Sequence, residues 1–479
     1  MKIRSLPLLF LPALLGAALP AQAASLAHAG QTCHLPGMEE GLRCLTVSVP
    51  SNYAARMGAQ IALHVTIAPA FRETPKADPL FVLAGGPGQA GSDLLPLFER
   101  TFNRVRATRD IVLIDQRGTG LSGKLDCPSK PNEETMTEPQ MEAELQACIA
   151  RLNKPFSDYT TANSVRDIEQ VRTSLRLGPI NLWGGSYGTR LGQAYMRAYP
   201  ANVRAAVLDG VAAPEQVIPA GGRDAQTALD ALFAQCAAEK ACAAAFPNLR
   251  QEFAALLDRV SSSKLELDIA DPRTAQMRKL PMTATRFLGT VHAVLYSPAD
   301  SRSLPFLLHS AFNGRWEPFV ARSNVMNDVS ADAQVAQLMH MAVVCAEDVP
   351  RLTPELLSDD ARGSFMNAAL TRDRSRMCDL VKVQPVAWQP PSRIEAPVMM
   401  LSGALDPVTP PRRAQAAAQS MSHVQQFVVA NAGHGISMLG CAPRLIREFL
   451  DRPGQPVDAR CLKDIPTASF QIGPAGPHP

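Results

Sequence analysis

A serine, an aspartate and a histidine stand in sequence settings that suit acyl transfer by a serine nucleophile. Ser186 is the centre of a Gly-x-Ser-x-Gly motif, Gly-Gly-Ser-Tyr-Gly at 184–188. A serine hydroxyl attacks efficiently only when a base takes its proton and an acid orients that base. His434, within Asn-Ala-Gly-His-Gly at 431–435, could be the base, and Asp406 could be its acidic partner. The pattern therefore predicts a Ser186–His434–Asp406 triad.

Each of these three residues follows a segment that is typical of a buried strand. The run 179–183 precedes the serine, 396–402 precedes the aspartate and 425–429 precedes the histidine. A helix-like run, 190–199, follows the serine, and in this strand–turn–helix context the motif forms a sharp turn that exposes the hydroxyl. The plainer alternative is a glycine-rich turn with an incidental serine. Because the order Ser, Asp, His is that of α/β-hydrolases, we expect all three at one edge of a sheet.

A glycine-rich segment at 85–91, Gly-Gly-Pro-Gly-Gln-Ala-Gly, follows the apolar run 79–84. It lacks the Gly-Lys-Ser/Thr ending of a phosphate-binding loop. A glycine loop at the end of a buried strand exposes backbone N–H groups where ligands of α/β proteins bind. We therefore predict an oxyanion hole formed by the backbone N–H groups of Gly86 and Tyr187.

The wider pattern predicts an α/β fold with a doubly wound, mostly parallel sheet. Between residues 79 and 210, buried strand-like runs alternate with helix-like runs. Two segments with alternating apolar residues, 42–50 and 60–69, predict an antiparallel pair at the sheet edge. After the strand-like run 110–114 comes Asp-Gln-Arg-Gly, in which we expect Arg117 to hold loops together rather than to act chemically.

A change of pattern after residue 213 predicts a helical cap inserted into the α/β core. Strand-like runs give way to alanine-rich helical ones, at 224–245, 248–261, 283–295 and 331–345. The block is too long to be a loop. The predicted organisation is a signal peptide (1–23), the N-terminal part of the core (24–213), the cap (214–391) and the C-terminal part of the core (392–479).

The first residues of the chain are typical of an export signal. Lys2 and Arg4 precede the apolar run 6–18, and Ala-Gln-Ala at 21–23 predicts cleavage after Ala23. The alternative is an N-terminal membrane anchor, but the run is too short to span a bilayer. The predicted location is exported, either periplasmic or secreted. The near balance of 47 basic and 44 acidic residues gives no indication of a nucleic-acid partner.

An even number of cysteines, ten, indicates disulfides in an exported protein. Metal binding is the alternative, but the chain has no Cys-x-x-Cys motif, and we expect neither a metal nor another cofactor. Spacing alone does not decide the connectivity. We propose nearest-neighbour pairing because local loops are the easiest to close: Cys33 with Cys44, Cys127 with Cys148, Cys236 with Cys242, Cys345 with Cys378, and Cys441 with Cys461.

These motifs together resemble the prolyl aminopeptidase family of α/β-hydrolases, and most of all its secreted, tripeptidyl aminopeptidase-like branch (peptidase family S33). The family usually carries a histidine before the glycine loop, where this chain has Ala84. This departure suits the secreted branch and weakens the link to prolyl specificity. The segments that carry the resemblance lie, in family order, at 85–88, 115–118, 184–188, 406–408 and 433–435.

The resemblance implies a metal-free serine hydrolase that cleaves short peptides near their free N-terminus. It implies Ser186 as nucleophile, His434 as base and Asp406 as its partner. It also implies a helical cap that excludes long or folded substrates and binds the free amino end through carboxylates, for which Glu347 is the candidate. The alternative for Glu347 is a solvated helix end beside a disulfide. A carboxylesterase and a catalytically silent binding protein on the same fold are the alternatives for the whole chain.

Overall fold

The computed structural model describes residues 26–476, apart from 56, 129–135, 263–264, 272–273, 333–334, 367–370 and 372–374. The predicted signal peptide, residues 1–23, lies outside the described residues. Within them, no helix combines the length and the apolar character needed to cross a membrane.

The strands, numbered in chain order through the described residues, form one large mixed sheet and a separate two-stranded one. Their bounds are β1 Gln31–Cys33, β2 Leu42–Pro50, β3 Gln60–Ala68, β4 Leu80–Leu83, β5 Ile111–Ile114, β6 Ile180–Gly185, β7 Val203–Asp209, β8 Glu266–Ala270, β9 Met277–Pro281, β10 Val398–Gly403 and β11 Val424–Val429.

The large sheet has the order β1-β2-β3-β5-β4-β6-β7-β10-β11. Strands β1, β2 and β3 are antiparallel to their neighbours, and β5, β4, β6, β7, β10 and β11 are parallel to one another. The parallel strands β4, β5 and β10 are buried along their whole length, as expected where helices cover both faces of a sheet. The predicted doubly wound, mostly parallel α/β fold is confirmed.

The helices, also numbered in chain order, have the following bounds in the described part of the chain. They are α1 Leu94–Leu97, α2 Glu99–Arg106, α3 Glu138–Leu152, α4 Thr161–Ser174, α5 Tyr187–Ala198, α6 Gly222–Ala238, α7 Lys240–Ala245, α8 Leu249–Ser262, α9 Ala284–Val294, α10 Pro298–Ser301, α11 Leu304–Phe312, α12 Glu317–Asp332, α13 Gln337–Glu347, α14 Pro354–Ala361, α15 Cys378–Val381, α16 Pro411–Ala418 and α17 Ala442–Asp451.

The two faces of the sheet support separate hydrophobic cores because side chains alternate along each strand. In β4, Phe81 and Leu83 join the core beneath α4 and α5, whereas Leu80 and Val82 join the core beneath α2 and α17. Most of the cap segment, residues 214–391, packs around a third core, which Phe470 from the C-terminal part of the chain also joins. Helix α13 is an exception, since its buried side chains join the sheet core on the side of α4 and α5.

The structure differs from the predicted pattern in several places. Strand β1 lies outside β2, so the predicted antiparallel pair β2–β3 is one strand in from the edge. The hairpin β8–β9 lies within a segment predicted to be helical. The predicted helix 331–345 is not continuous, because α12 ends at Asp332 and α13 begins at Gln337. The residue bounds of the predicted domains stay a prediction.

Five disulfides are present, and all are between nearest neighbours in sequence. They join Cys33 to Cys44, Cys127 to Cys148, Cys236 to Cys242, Cys345 to Cys378, and Cys441 to Cys461. The longest of these loops attaches α13 to α15.

Candidate active site

Ser186 lies in a sharp turn between β6 and α5. Its φ of 54° and ψ of −124° fall where residues other than glycine are rarely found. The neighbouring glycines allow close backbone approach, since a methyl group at Gly188 would lie 2.0 Å from the carbonyl oxygen of Leu83. Within the described residues, the Ser186 hydroxyl has no hydrogen-bond partner, so its expected pairing with His434 stays a prediction.

His434 is hydrogen-bonded to Asp406, its expected acidic partner, and the catalytic roles of both residues stay a prediction. The imidazole Nδ1 lies 2.8 Å from Asp406 Oδ2, and the aspartate is only 1% exposed. The backbone N–H groups of Val408 and Thr409 donate to Asp406 Oδ1, and the Thr409 hydroxyl donates to Oδ2. The carboxylate is therefore held in one orientation, and Nε2 is the imidazole nitrogen left for another partner.

The surroundings of His434 favour its protonated form. Burial by itself lowers the pKa of the imidazole, but the charge and hydrogen bond of Asp406, with the charge of Asp209, raise the pKa above its ordinary value. Burial alone would raise the pKa of Asp406. The charge of His434 and the hydrogen bonds that the Asp406 carboxylate accepts outweigh burial, so this pKa lies below its ordinary value.

Asp209 joins the serine turn to the histidine loop, a role that the sequence analysis missed. Its backbone carbonyl accepts from the N–H of Ser186 at 2.9 Å. Its buried carboxylate accepts from the N–H groups of Ile436 (2.8 Å) and Ser437 (2.7 Å). Burial raises the pKa of this carboxyl. The sequence offered one signal for this role: Asp209 is a carboxylate at the end of a buried strand, where backbone N–H groups of nearby loops can lack other acceptors.

The glycine loop lies directly against the serine turn. A methyl group on Gly85 would lie 3.0 Å from Cβ of Ser186. Gly86 has a φ of 103°, a conformation that favours glycine. In the part of the chain that the structure describes, the N–H groups of Gly86 and Tyr187 have no hydrogen-bond acceptor. The role of these two N–H groups as oxyanion donors stays a prediction.

Arg117 ties loops together beneath this edge, as expected. Its guanidinium is fully buried and pairs with Asp167 at 2.7 Å. It also donates to the backbone carbonyls of Pro50, Ser51 and Asp158.

The cap segment touches the histidine loop through Tyr296. The backbone carbonyl of Tyr296 accepts from the N–H of His434 at 2.8 Å. The two rings meet edge to face with centroids 5.2 Å apart. A methyl group on Gly433 would lie 2.3 Å from the same carbonyl oxygen. The position of the histidine loop is thus coupled to that of the cap segment.

Glu347, at the end of α13, is bound by the protein itself. Its two carboxylate oxygens accept from the backbone N–H and the hydroxyl of Thr161, each at 2.6 Å. Burial raises the pKa of the carboxyl, against the effect of these hydrogen bonds. Its expected role in binding the amino end of a substrate stays a prediction.

Comparison with known families agrees with this architecture. Residues 78–245 match the family model described as alpha/beta hydrolase fold, and residues 364–461 match the model described as TAP-like protein. The chain has the α/β-hydrolase fold. The resemblance predicted from the motifs, to α/β-hydrolases and to their tripeptidyl aminopeptidase-like branch, is confirmed.

Three curated proteins are similar in sequence to part of this chain. Serine protease Hip1 of Mycobacterium tuberculosis is 30% identical over 230 residues, which cover 43% of each chain. Tripeptidyl aminopeptidase of Streptomyces lividans is 30% identical over 36% of each chain. Proline iminopeptidase of Neisseria gonorrhoeae is 32% identical over 29% of this chain and 34% of its own. The chain thus spans less than half the length of these curated relatives.

Proposed function

We propose that this α/β-hydrolase is a serine peptidase that cleaves bonds near the free N-terminus of short peptides. The observation that carries the proposal is the His434–Asp406 pair, joined through the buried Asp209 to the strained turn that presents Ser186. Relatives named as a serine protease, a tripeptidyl aminopeptidase and a proline iminopeptidase support the substrate class.

In the proposed reaction, Ser186 Oγ attacks the carbonyl carbon of the scissile peptide bond while His434 Nε2 takes its proton. The N–H groups of Gly86 and Tyr187 donate to the oxyanion that forms. His434 then gives the proton to the leaving amine as the C–N bond breaks. Water, deprotonated by His434, hydrolyses the remaining acyl-enzyme. Asp406 keeps the proton of the neutral imidazole on Nδ1 throughout and stabilises the imidazolium.

The cap segment is the proposed selector of substrates. The contact of Tyr296 with His434 places cap residues beside the proposed site, which favours short and unfolded peptides. Glu347 is the proposed partner of the free amino group, although Thr161 already binds both of its oxygens. We also propose export, with cleavage after Ala23, because five disulfides suit an oxidising compartment.

A peptide-library digest read by mass spectrometry tests the proposal. The wild type and Ser186→Ala are incubated with peptides that have either a free or an acetylated N-terminus. We expect the wild type to release N-terminal fragments from free peptides only, and Ser186→Ala to be slower by about a million-fold. Cleavage that ignores acetylation would overturn the aminopeptidase assignment, and turnover of esters alone would favour the carboxylesterase.

A further inference from the structure

Helix α13 reaches from the glycine loop to the serine turn. At its start, the N–H of Ala336 donates to the carbonyl of Gly88 at 2.9 Å. One turn later, His340 Nδ1 lies 3.2 Å from the carbonyl oxygen of Pro87. The start of α13 and the glycine loop are in close contact, since a methyl group on Gly88 would lie 2.7 Å from the Ala336 carbonyl oxygen. The N-terminal end of α13 therefore sits directly on the loop that contains Gly86.

The other end of α13 is linked to the residue that follows the serine. Thr161, the first residue of α4, donates its hydroxyl proton to Glu347 at 2.6 Å. The Tyr187 hydroxyl lies 2.7 Å from the same threonine oxygen. A threonine hydroxyl has only one proton to donate, so the tyrosine is the donor in this second bond. The result is a directed chain from Tyr187 through Thr161 to Glu347.

A second link attaches the first turn of α5 to the same end of α13. Arg190 Nη1 pairs with the fully buried Asp348 at 3.0 Å, and Nη2 donates to the carbonyl of Gln216 at 2.6 Å. Adjacent acids at the end of α13, Glu347 and Asp348, thus hold two residues of the first turn of α5. The Tyr187 side chain is itself buried, so its backbone has little freedom to shift.

We propose that α13 and Thr161 set the distance between the two donors of the oxyanion hole, Gly86 and Tyr187. In this role Thr161 and Glu347 are positioning residues, and Glu347 acts on Tyr187 through Thr161. The inference rests on the proposed function of Ser186 as nucleophile. A donor moved by about 1 Å can cost about a hundredfold in rate, so the loss should appear in kcat rather than in KM.

A probe without an amino group separates the two roles of Glu347. An alkyl fluorophosphonate reacts when Ser186 Oγ forms a bond to phosphorus, fluoride leaves and His434 takes the proton. This reaction needs the oxyanion hole but presents no amine. If Glu347 only binds amines, Glu347→Gln should raise KM for a free-amino tripeptidyl arylamide and leave phosphonylation unchanged. If Glu347 positions Tyr187, the variant should slow both phosphonylation and kcat.

The experiment measures the second-order rate of phosphonylation for a matched set of variants. Thr161→Val and Tyr187→Phe each break the chain, and we expect both to be slower by about tenfold to a hundredfold. Thr161→Ser keeps the hydroxyl and should react within about twofold of the wild type. The control is Tyr195→Phe, also in α5. It removes the hydrogen bond from the buried Tyr195 hydroxyl to Glu169 (2.8 Å) and should leave the rate of phosphonylation unchanged.

Two results would overturn the inference. One is phosphonylation of Tyr187→Phe at the wild-type rate; this variant loses a single oxygen and decides the question even if Thr161→Val fails to fold. The other is equal slowing of Tyr195→Phe, which would indicate general loosening of α5. Failure of the proposed function looks different, because the wild type itself would then not react at Ser186.

Discussion

The pKa of the imidazole at position 434 depends on the charges of two buried carboxylates, and this pKa determines how activity should change with pH. Asp406 binds the ring directly, and Asp209 contributes its charge from the end of β7. Both charges stabilise the protonated ring, so they raise the pKa of His434 even though burial alone would lower it. Asp406 is a partner that the sequence predicted, whereas Asp209 is not.

The first prediction concerns the acid limb of the pH profile. Only the neutral imidazole can take a proton from Ser186, so kcat/KM should fall as the pH drops through the raised pKa of His434. The midpoint should therefore lie above about 6.5, the ordinary value for histidine. The measurement is kcat/KM against pH for the wild type and Asp406→Asn. The variant should have a lower midpoint and a rate reduced by about 10⁴.

A midpoint at or below the ordinary value in the wild type would contradict this account, as would an unchanged profile in Asp406→Asn. At the residue scale, the sequence predicted the triad because each member has a local signature, a glycine turn or a loop after a strand. It did not predict Asp209 or Thr409, because their roles come from backbone and side-chain partners brought in by other elements.

At the scale of elements, the cap segment meets the core through a few close backbone contacts. The histidine loop lies against the end of α9, where the Tyr296 carbonyl accepts from His434. Because Gly433 lies so close to this carbonyl, any side chain at 433 must push the two elements apart. The geometry of the base thus depends on a cap residue more than a hundred positions away in sequence.

The second prediction tests this contact with a pair of glycine substitutions. Gly433→Ala should displace the histidine loop or the cap and lower kcat by about tenfold to a hundredfold, since a shift of about 1 Å in the base is enough. Gly289→Ala, in α9 of the same cap segment, is the control, because a methyl group there meets nothing within 4 Å. Measured kcat for both variants decides the point; equal effects, or none in Gly433→Ala, would contradict it.

The parallel strands of the core were predictable because they are continuous apolar runs, and the helices because their apolar residues recur at helical spacing. The elements of the cap segment were harder to predict from the sequence. The strands of the hairpin β8–β9 are short, and only β8 alternates exposed and buried residues, so the period-two pattern extends over five residues alone. The break between α12 and α13 lies where Ala336 contacts Gly88 of the core, a tertiary contact that local periodicity does not record.

At the scale of the whole molecule, the cap and the core are joined by a buried aspartate that pairs with two arginines. Asp224, in α6 of the cap segment, is 1% exposed and accepts from Arg412 at 2.6 Å and Arg413 at 2.9 Å, both in α16 of the core. These arginines follow the loop that contains Asp406. The pair therefore joins the cap to the part of the core that holds the proposed acid.

The third prediction compares this pair with an exposed one on the same helix. Asp224→Asn leaves Arg413, which is 14% exposed, and the half-exposed Arg412 without a charged partner, and should lower the free energy of unfolding by about 2 kcal/mol. Asp230→Asn breaks the pair of Asp230 with Arg250, both largely exposed, and should change it by less than about 1 kcal/mol. Urea unfolding of both variants, with disulfides intact, gives the comparison. Equal losses would show that Asp224 does not hold the cap to the core.

The overall architecture followed from the sequence because the strand order of an α/β sheet is strongly restricted. The contact between cap and core could not be predicted in this way. Asp224 and Arg412 lie far apart in the chain, and in the sequence each resembles an ordinary surface residue. Predicting which charged residues become buried requires knowing which surfaces meet.

The most direct test of the central claim is to locate the adduct of a fluorophosphonate on the wild-type chain by mass spectrometry of its peptides. We expect a single adduct on Ser186, absent from Ser186→Ala and formed far more slowly in His434→Ala. An adduct on another residue, or labelling of Ser186→Ala at the wild-type rate, would contradict it.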